Sequence, residues 1–208
     1  MMKRLKLAVL GSGRGSNFQA ILKNIQQGKL DARVQIVISN NSKAGILEIA
    51  RENGIPAMHL SHRQFETPDA FDEKLIAVLK EHDVNLIVLA GYMKLLSPKI
   101  IQAYRNRILN IHPALLPAFG GEGMYGLHVH EAVLECGCKV SGVTVHIVDE
   151  KYDHGPPVIQ KCVPVHDQDT PETLAQRVLK VEHQVFSEAL QLFAEDRVSI
   201  KGRRVFIQ

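Results

Sequence analysis

The stretch Leu5-Lys-Leu-Ala-Val-Leu-Gly-Ser-Gly-Arg-Gly-Ser-Asn17 decides the fold. Its first six residues are an apolar run with one lysine, the pattern of a strand buried on both faces. The run enters three alternating glycines, after which Phe18, Ile21, Leu22 and Ile25 recur at helical spacing until Gly28. Strand, glycine turn and helix in that order leave backbone N–H groups around Gly15, Ser16 and Asn17 at the positive end of a helix dipole, where a phosphate would bind. The spacing G-x-G-x-G departs from the dinucleotide fingerprint, and the next strand closes on Ser39-Asn40-Asn41 with no acidic residue, which counts against NAD. No Gly-Lys-Ser/Thr follows, so this is no Walker loop. A tight turn that holds no ligand is the alternative.

Outward from this unit, the pattern predicts strands over Val34 to Ile38, Pro56 to Leu60 and Leu86 to Ala90. Between them lie helices over Ala44 to Asn53 and Pro68 to His82. Such alternation implies an α/β fold of three layers, a mostly parallel Rossmann-like sheet with helices on both faces. Ligands of these sheets gather at the carboxyl ends of the strands. The loop after Ala90, which contains Met93, lies at such an end.

A further strand begins Leu109-Asn-Ile-His-Pro-Ala-Leu-Leu-Pro117, and Pro113 and Pro117 prevent it from continuing as a central ladder member. Asn110 and His112 are two apart and therefore share a side where the chain leaves the sheet. An amide donor and a titratable imidazole suit a developing oxyanion and a moving proton. A capped strand end with a packed histidine is the structural alternative. The four glycines between Gly120 and Gly126 mark a loop. His128 and His130 fall on a helix over Val129 to Leu134, where residues two apart diverge by roughly 200°, so no metal site is expected. His59 and His62 read as surface histidines without a partner.

Val140 to Val148 and Val158 to Val165 read as an antiparallel addition joined by a turn that contains Asp149, Glu150 and Asp153. A carboxylate at Asp153 near His112 would raise the imidazole pKa; a solvated acidic turn is the alternative. Thr170-Pro-Glu starts a long helix to about Ala194, with Leu174, Val178, Val181, Val185, Leu190 and Phe193 inward. Val198 to Ile200 and Val205 to Ile207 suggest a terminal ribbon. Nothing marks a linker, and a single domain over residues 1–208 is expected.

Of the 208 residues, 45% are hydrophobic and 23% charged, and the net charge of +3 is too slight and dispersed for a nucleic-acid surface. Small anions are the better match. Three cysteines, Cys136, Cys138 and Cys162, suggest no disulfide framework and fit a reducing cytoplasm. The basic start at Met1 leads into a short apolar run read as the first strand, not as a leader, and no run approaches membrane-spanning length.

Gly11-Ser-Gly-Arg-Gly-Ser-Asn17, Ala90-Gly-Tyr-Met-Lys-Leu-Leu-Ser97, Leu109 to Pro117 and Asp153-x-Gly-Pro156 together resemble the phosphoribosylglycinamide formyltransferase family, along essentially the whole chain as far as Arg177 and Glu182-His183. The resemblance implies the formyltransferase fold and a monomer or homodimer. It implies formyl transfer from 10-formyltetrahydrofolate, a consumed cosubstrate, to glycinamide ribonucleotide, with no metal. By position, it makes Asn110, His112 and Asp153 the catalytic three. It makes Gly15, Ser16 and Asn17 the phosphate cradle, with Leu179, Lys180, Val181 and Glu182 on the ribose side. The folate pocket would comprise Met93, Lys94, Leu95 and Leu96, with Asn110 and the turn Asp149, Glu150, Lys151, Tyr152 and Asp153. A family arginine that helps hold the folate is replaced by Pro68, with Arg63 as a substitute, and His154 stands where glycine is common. A formyltetrahydrofolate hydrolase and a non-catalytic nucleotide-binding module are the rival readings.

Overall fold

The computed structural model describes residues 4–208; Met1 to Lys3, and with them the reading of the chain start, lie outside the described residues. The elements follow as β1 (Leu5–Leu10), α1 (Ser16–Gln26), β2 (Ala32–Ser39), α2 (Gly45–Glu52), β3 (Ala57–His59), α3 (Pro68–Glu81), β4 (Leu86–Leu89), α4 (Pro98–Ala103) and β5 (Ile108–His112). Then come α5 (Leu127–Glu135), β6 (Val140–Ile147), β7 (Pro157–Pro164), α6 (Pro171–Ala194), β8 (Val198–Lys201) and β9 (Arg204–Ile207).

The first seven strands form one sheet in the order β3-β2-β1-β4-β5-β6-β7, and β8 pairs only with β9. Strands β1 to β5 are mutually parallel, whereas β6 is antiparallel to both β5 and β7. The period of two along β1 divides the core. Leu5, Leu7 and Val9 pack with residues of α1, α2, α5 and α6, and Ala8 and Leu10 pack with those of α3 and α4. The sheet is thus covered on both faces, as the apolar runs require. Leu7 is fully buried, and truncating it to alanine would cost about 2–5 kcal/mol.

Chain order reverses between β1 and β4, so their carboxyl ends open a crevice of the kind that binds ligands in such sheets. Backbone bonds tie its walls together. Gly11 N donates to Ile38 O at 3.1 Å, Ser12 N to Gly91 O at 3.0 Å, and Ala90 N to Leu10 O at 2.8 Å.

The structure departs from the sequence reading in several places. Helix α4 was not anticipated: it is a six-residue element, too short for a period, although Ser97 caps it by accepting from Ile100 N and Pro98 opens it. A 3₁₀ turn at His62–Gln64 was also not anticipated. There His62 does have a partner, its ring stacked on Phe71 with centroids 3.7 Å apart. Along α6, Val181 is only half-buried and the carboxylate of Glu182 takes the inward position beside it. No helix among the described residues is long and apolar enough to cross a membrane.

Candidate active site

Strand β5 delivers Asn110 and His112 at its carboxyl end, where the antiparallel partner β6 sets Asn110 opposite His146 and His112 opposite Thr144. His112 is buried. Its Nδ1 lies 3.4 Å from Asp153 Oδ2, and its Nε2 lies 2.7 Å from the carbonyl of Phe119. Asp153 reaches the cleft from the turn between β6 and β7, which Gly155 allows to pass close beside β6. A Cβ at that glycine would collide with the Ile147 carbonyl. Asp153 itself adopts a left-handed backbone with φ of 49°, a conformation that costs an L-residue roughly 1–2 kcal/mol and must be held by its surroundings. The holding bonds are visible. Gly121 N donates to Asp153 Oδ2 at 3.1 Å, and Asn110 Nδ2 approaches Oδ1 at 3.4 Å.

Burial lowers the His112 pKa below its ordinary value; the Asp153 carboxylate and the Phe119 carbonyl oppose this without overcoming it. Asp153 does push this pKa upward, as expected, but the net shift is downward because the ring is far more deeply enclosed than a strand-end residue read from sequence. For Asp153, burial pushes upward, but the neighbouring rings of His146 and His112 and the Gly121 N–H outweigh it and hold the carboxyl below its usual range. Asp153 is thus a carboxylate at neutral pH.

Two histidines that sequence reasoning did not assign belong to this neighbourhood. His146 Nδ1 donates to Ile147 O at 3.0 Å, leaving Nε2 to accept from Asn110 Nδ2 at 3.0 Å. It also sits 3.6 Å from Asp153 Oδ1. His130, on α5, is buried, and both burial and the charge of His112 lower its pKa. His146 was visible only as a polar residue on the side of β6 shared with Thr144. Its cross-strand pairing with Asn110 was the missing signal.

The glycine turn after β1 builds the second part of the site. Gly15 precedes α1 with a left-handed φ of 86° and no side chain caps the helix, so the first-turn N–H groups remain directed outward. A Cβ at Gly15 would press on Ile46 and Ile49 at 3.0 Å. Asn17 Nδ2 donates to Glu182 Oε2 at 2.7 Å, which joins α1 to α6 and brings Glu182 to the cradle. Burial raises the Glu182 carboxyl pKa, with Asn17 opposing. Asn17 Oδ1 is buried without a partner among the described residues. Leu179 and Val181 are half-buried on the same helix and Lys180 is exposed.

The expected folate residues lie on two loops. Met93 N donates to Ser12 Oγ at 2.9 Å, so the loop after β4 rests on the glycine turn. Met93, Leu95 and Tyr152 are exposed apolar side chains, whereas Leu96 is buried in the core. Lys94, Glu150 and Lys151 are exposed and Asp149 half-buried. Pro68 is occupied as the opening residue of α3, and Arg63 is exposed in the 3₁₀ turn. Among the described residues no His, Cys, Asp and Glu cluster could hold a metal ion.

Residues 5–190 match the family model described as Formyl transferase. The chain belongs to the formyl transferase family. It is 45% identical over 197 residues to the chloroplastic phosphoribosylglycinamide formyltransferase of Arabidopsis thaliana, covering 94% of this chain and 68% of that protein. Against the trifunctional purine biosynthetic protein adenosine-3 of Homo sapiens it is 39% identical over 198 residues, spanning 95% of this chain but only 19% of that longer protein. The solved structure of glycinamide ribonucleotide transformylase 1 from Symbiobacterium toebii superposes with a TM-score of 0.92 at 45% identity, covering 98% of this chain and 94% of that one. Formyl transfer asks for an oxyanion donor, a group that orders the proton's path and an anchor for the nucleophile. Asn110 with His112, Asp153, and the Gly15 turn have the chemistry for these three tasks.

Proposed function

We propose that this chain transfers the formyl group of 10-formyltetrahydrofolate to the amine of glycinamide ribonucleotide, in purine biosynthesis. The observation that carries the reading is the convergence of Asn110, His112 and Asp153, with side-chain separations of 3.4 Å from Asp153 to each of the other two, in a chain whose relatives carry that name.

The amine nitrogen of the ribonucleotide attacks the formyl carbon. The carbonyl π-electrons move onto oxygen, where His112 Nε2–H and an Asn110 N–H donate to the oxyanion. His112 must release the Phe119 carbonyl to do so. Negative charge on that oxygen favours the cationic ring and offsets the burial that lowers its pKa. Asp153 accepts the proton of the attacking amine through a water and passes it to the folate nitrogen as the carbon–nitrogen bond to the folate breaks. The products are the N-formyl ribonucleotide and tetrahydrofolate.

The phosphate would sit on the N–H groups of Ser16 and Asn17 beside Gly15, and the ribose would meet Glu182 and its neighbours Leu179, Lys180 and Val181. The folate rings would cover Met93, Leu95 and Tyr152, with polar contacts from the backbone of residues 93–96 and 149–153. Incubating the protein with 10-formyltetrahydrofolate, with and without glycinamide ribonucleotide, and following folate absorbance tests the reading. Release only with the ribonucleotide is expected. Acceptor-independent release would make the chain a hydrolase, and no release a binder.

A further inference from the structure

His154 follows Asp153 in the turn between β6 and β7, and the C-terminal ribbon reaches over to it. Strands β8 and β9 meet at a two-residue turn, Gly202-Arg203, with Lys201 paired to Arg204 and Gly202 at a φ of 59°. The ribbon's open end is tied to the end of α6. Arg197 Nε donates to the Gln208 carbonyl at 2.5 Å and Gln208 N to the Arg197 carbonyl at 3.0 Å. Arg197 N in turn donates to the Leu192 carbonyl at 3.0 Å, which joins the ribbon to α6. From the ribbon's tip Arg203 Nη2 donates to the His154 carbonyl at 2.7 Å, and Nη1 stands 2.9 Å from His154 Nε2 and 3.1 Å from Nδ1. Near-equal distances to both ring nitrogens put a guanidinium nitrogen against the imidazole. The same ring donates from Nδ1 to Asp149 Oδ2 at 2.6 Å, and Asp149 Oδ1 accepts from Lys151 N at 3.1 Å. The turn from Asp149 to His154 is thus closed on itself through Asp149 and fastened from outside by Arg203.

We propose that Arg203 is a positioning residue for formyl transfer: by clamping His154 it holds the adjacent Asp153 in the left-handed conformation that aims its carboxylate at His112. This rests on the formyltransferase reading above. The clamp acts on the turn and leaves the Gly15 cradle untouched, so it separates turnover from ribonucleotide binding. Arginine suits the task because one planar fork serves the carbonyl and the ring together.

The test combines kinetics with an activity-independent readout. Arg203→Ala is expected to lower kcat about tenfold, as a displaced catalytic group does, with KM for glycinamide ribonucleotide unchanged and Arg203→Lys recovering part of the loss. In the ligand-free protein, the His112 ring proton followed by NMR should titrate at lower pH in Arg203→Ala, because the carboxylate that opposes burial has moved. His146 and His130 also face this ring and are followed alongside. In a His154→Gly background, which keeps the carbonyl but removes the ring that Arg203 also grips, the Arg203→Ala change should add less than in the parent. If kcat and the His112 midpoint both equal the parent's, the clamp is refuted. Should the parent itself fail to formylate the ribonucleotide, the function falls, and the NMR shift and its dependence on His154 still decide the clamp.

Discussion

Asn110 and His146 face each other across the β5–β6 register, and their side chains meet at 3.0 Å. Because His146 Nδ1 donates to the Ile147 carbonyl, its Nε2 accepts, and one Asn110 N–H is held firmly. The other approaches Asp153 at 3.4 Å, a distance at which a hydrogen bond is weak. In the proposed mechanism that loosely held N–H is the one that turns to the oxyanion. His146→Phe, which keeps the bulk and removes the acceptor, should lower kcat by about 10- to 100-fold with little change in KM for the ribonucleotide. Steady-state kinetics with each substrate varied checks it.

His112→Ala and Asp153→Asn should each lower kcat on the order of 100- to 1000-fold, and the double variant should fall well short of the product because the two act together. Circular dichroism matching the parent would confirm that folding survives. The pH dependence has a definite sign. His112 is harder to protonate when folded than its ordinary 6.5. The unfolded chain therefore takes the proton first, and stability declines as pH falls from 6.5 through the folded pKa. Asp153→Asn removes the charge that opposes burial, so the window widens downward. Urea melts at pH 7.5 and 5.5 would register a larger acid loss in the variant.

Much of this was written in local pattern. The β1 run, the Gly15 turn and the Pro113 break are decided within a few residues by periodicity and backbone freedom, so the sheet and the strand-end position of His112 could be read directly. The depth of His112 could not, because it depends on the segment of Phe119 and Gly121 folding back over it. Nor could His146, whose role needs the register between strands some 36 residues apart. The Arg203 contact with His154, 49 residues distant, is likewise a product of tertiary packing. Short α4 escaped because six residues hold too little period to count.

Asp169 and Arg177 form a bidentate pair at 2.6 and 2.7 Å at the start of α6, and Asp169 also accepts from His166 N at 2.8 Å and Thr173 Oγ1 at 2.9 Å. The Arg177 hydrogen bonds hold the Asp169 carboxyl well below the usual carboxylate range, burial opposing. Its stabilisation is complete above the unfolded value of 3.8 and is lost as pH falls through the folded one. Asp169→Asn should cost about 1–2 kcal/mol at pH 7 after allowance for solvent screening, a Tm loss of roughly 2–8 °C. The difference should shrink as pH is lowered below about 3.8. Thermal melts of both proteins at pH 7 and pH 3 measure this.

Glu182 is the opposite case, a carboxylate retained where the fold would prefer a neutral group. Burial raises its pKa above the ordinary 4.5, and Asn17 only partly compensates. An acid harder to ionise when folded binds its proton more tightly in the folded state, so stability falls as pH rises from 4.5 through the raised value. Glu182→Gln keeps an acceptor for Asn17 Nδ2 and removes the charge. At pH 7.5 it should melt no lower than the parent, and at pH 4.5 or below that relative advantage should disappear. Function should move the other way. If the carboxylate binds ribose hydroxyls, replacing it with an amide weakens a charge-assisted hydrogen bond and should raise KM for glycinamide ribonucleotide roughly tenfold, about 1.4 kcal/mol, with KM for the folate unchanged. A variant both less stable at pH 7.5 and unaltered in ribonucleotide KM would show that Glu182 serves the packing of α1 on α6 and not the substrate.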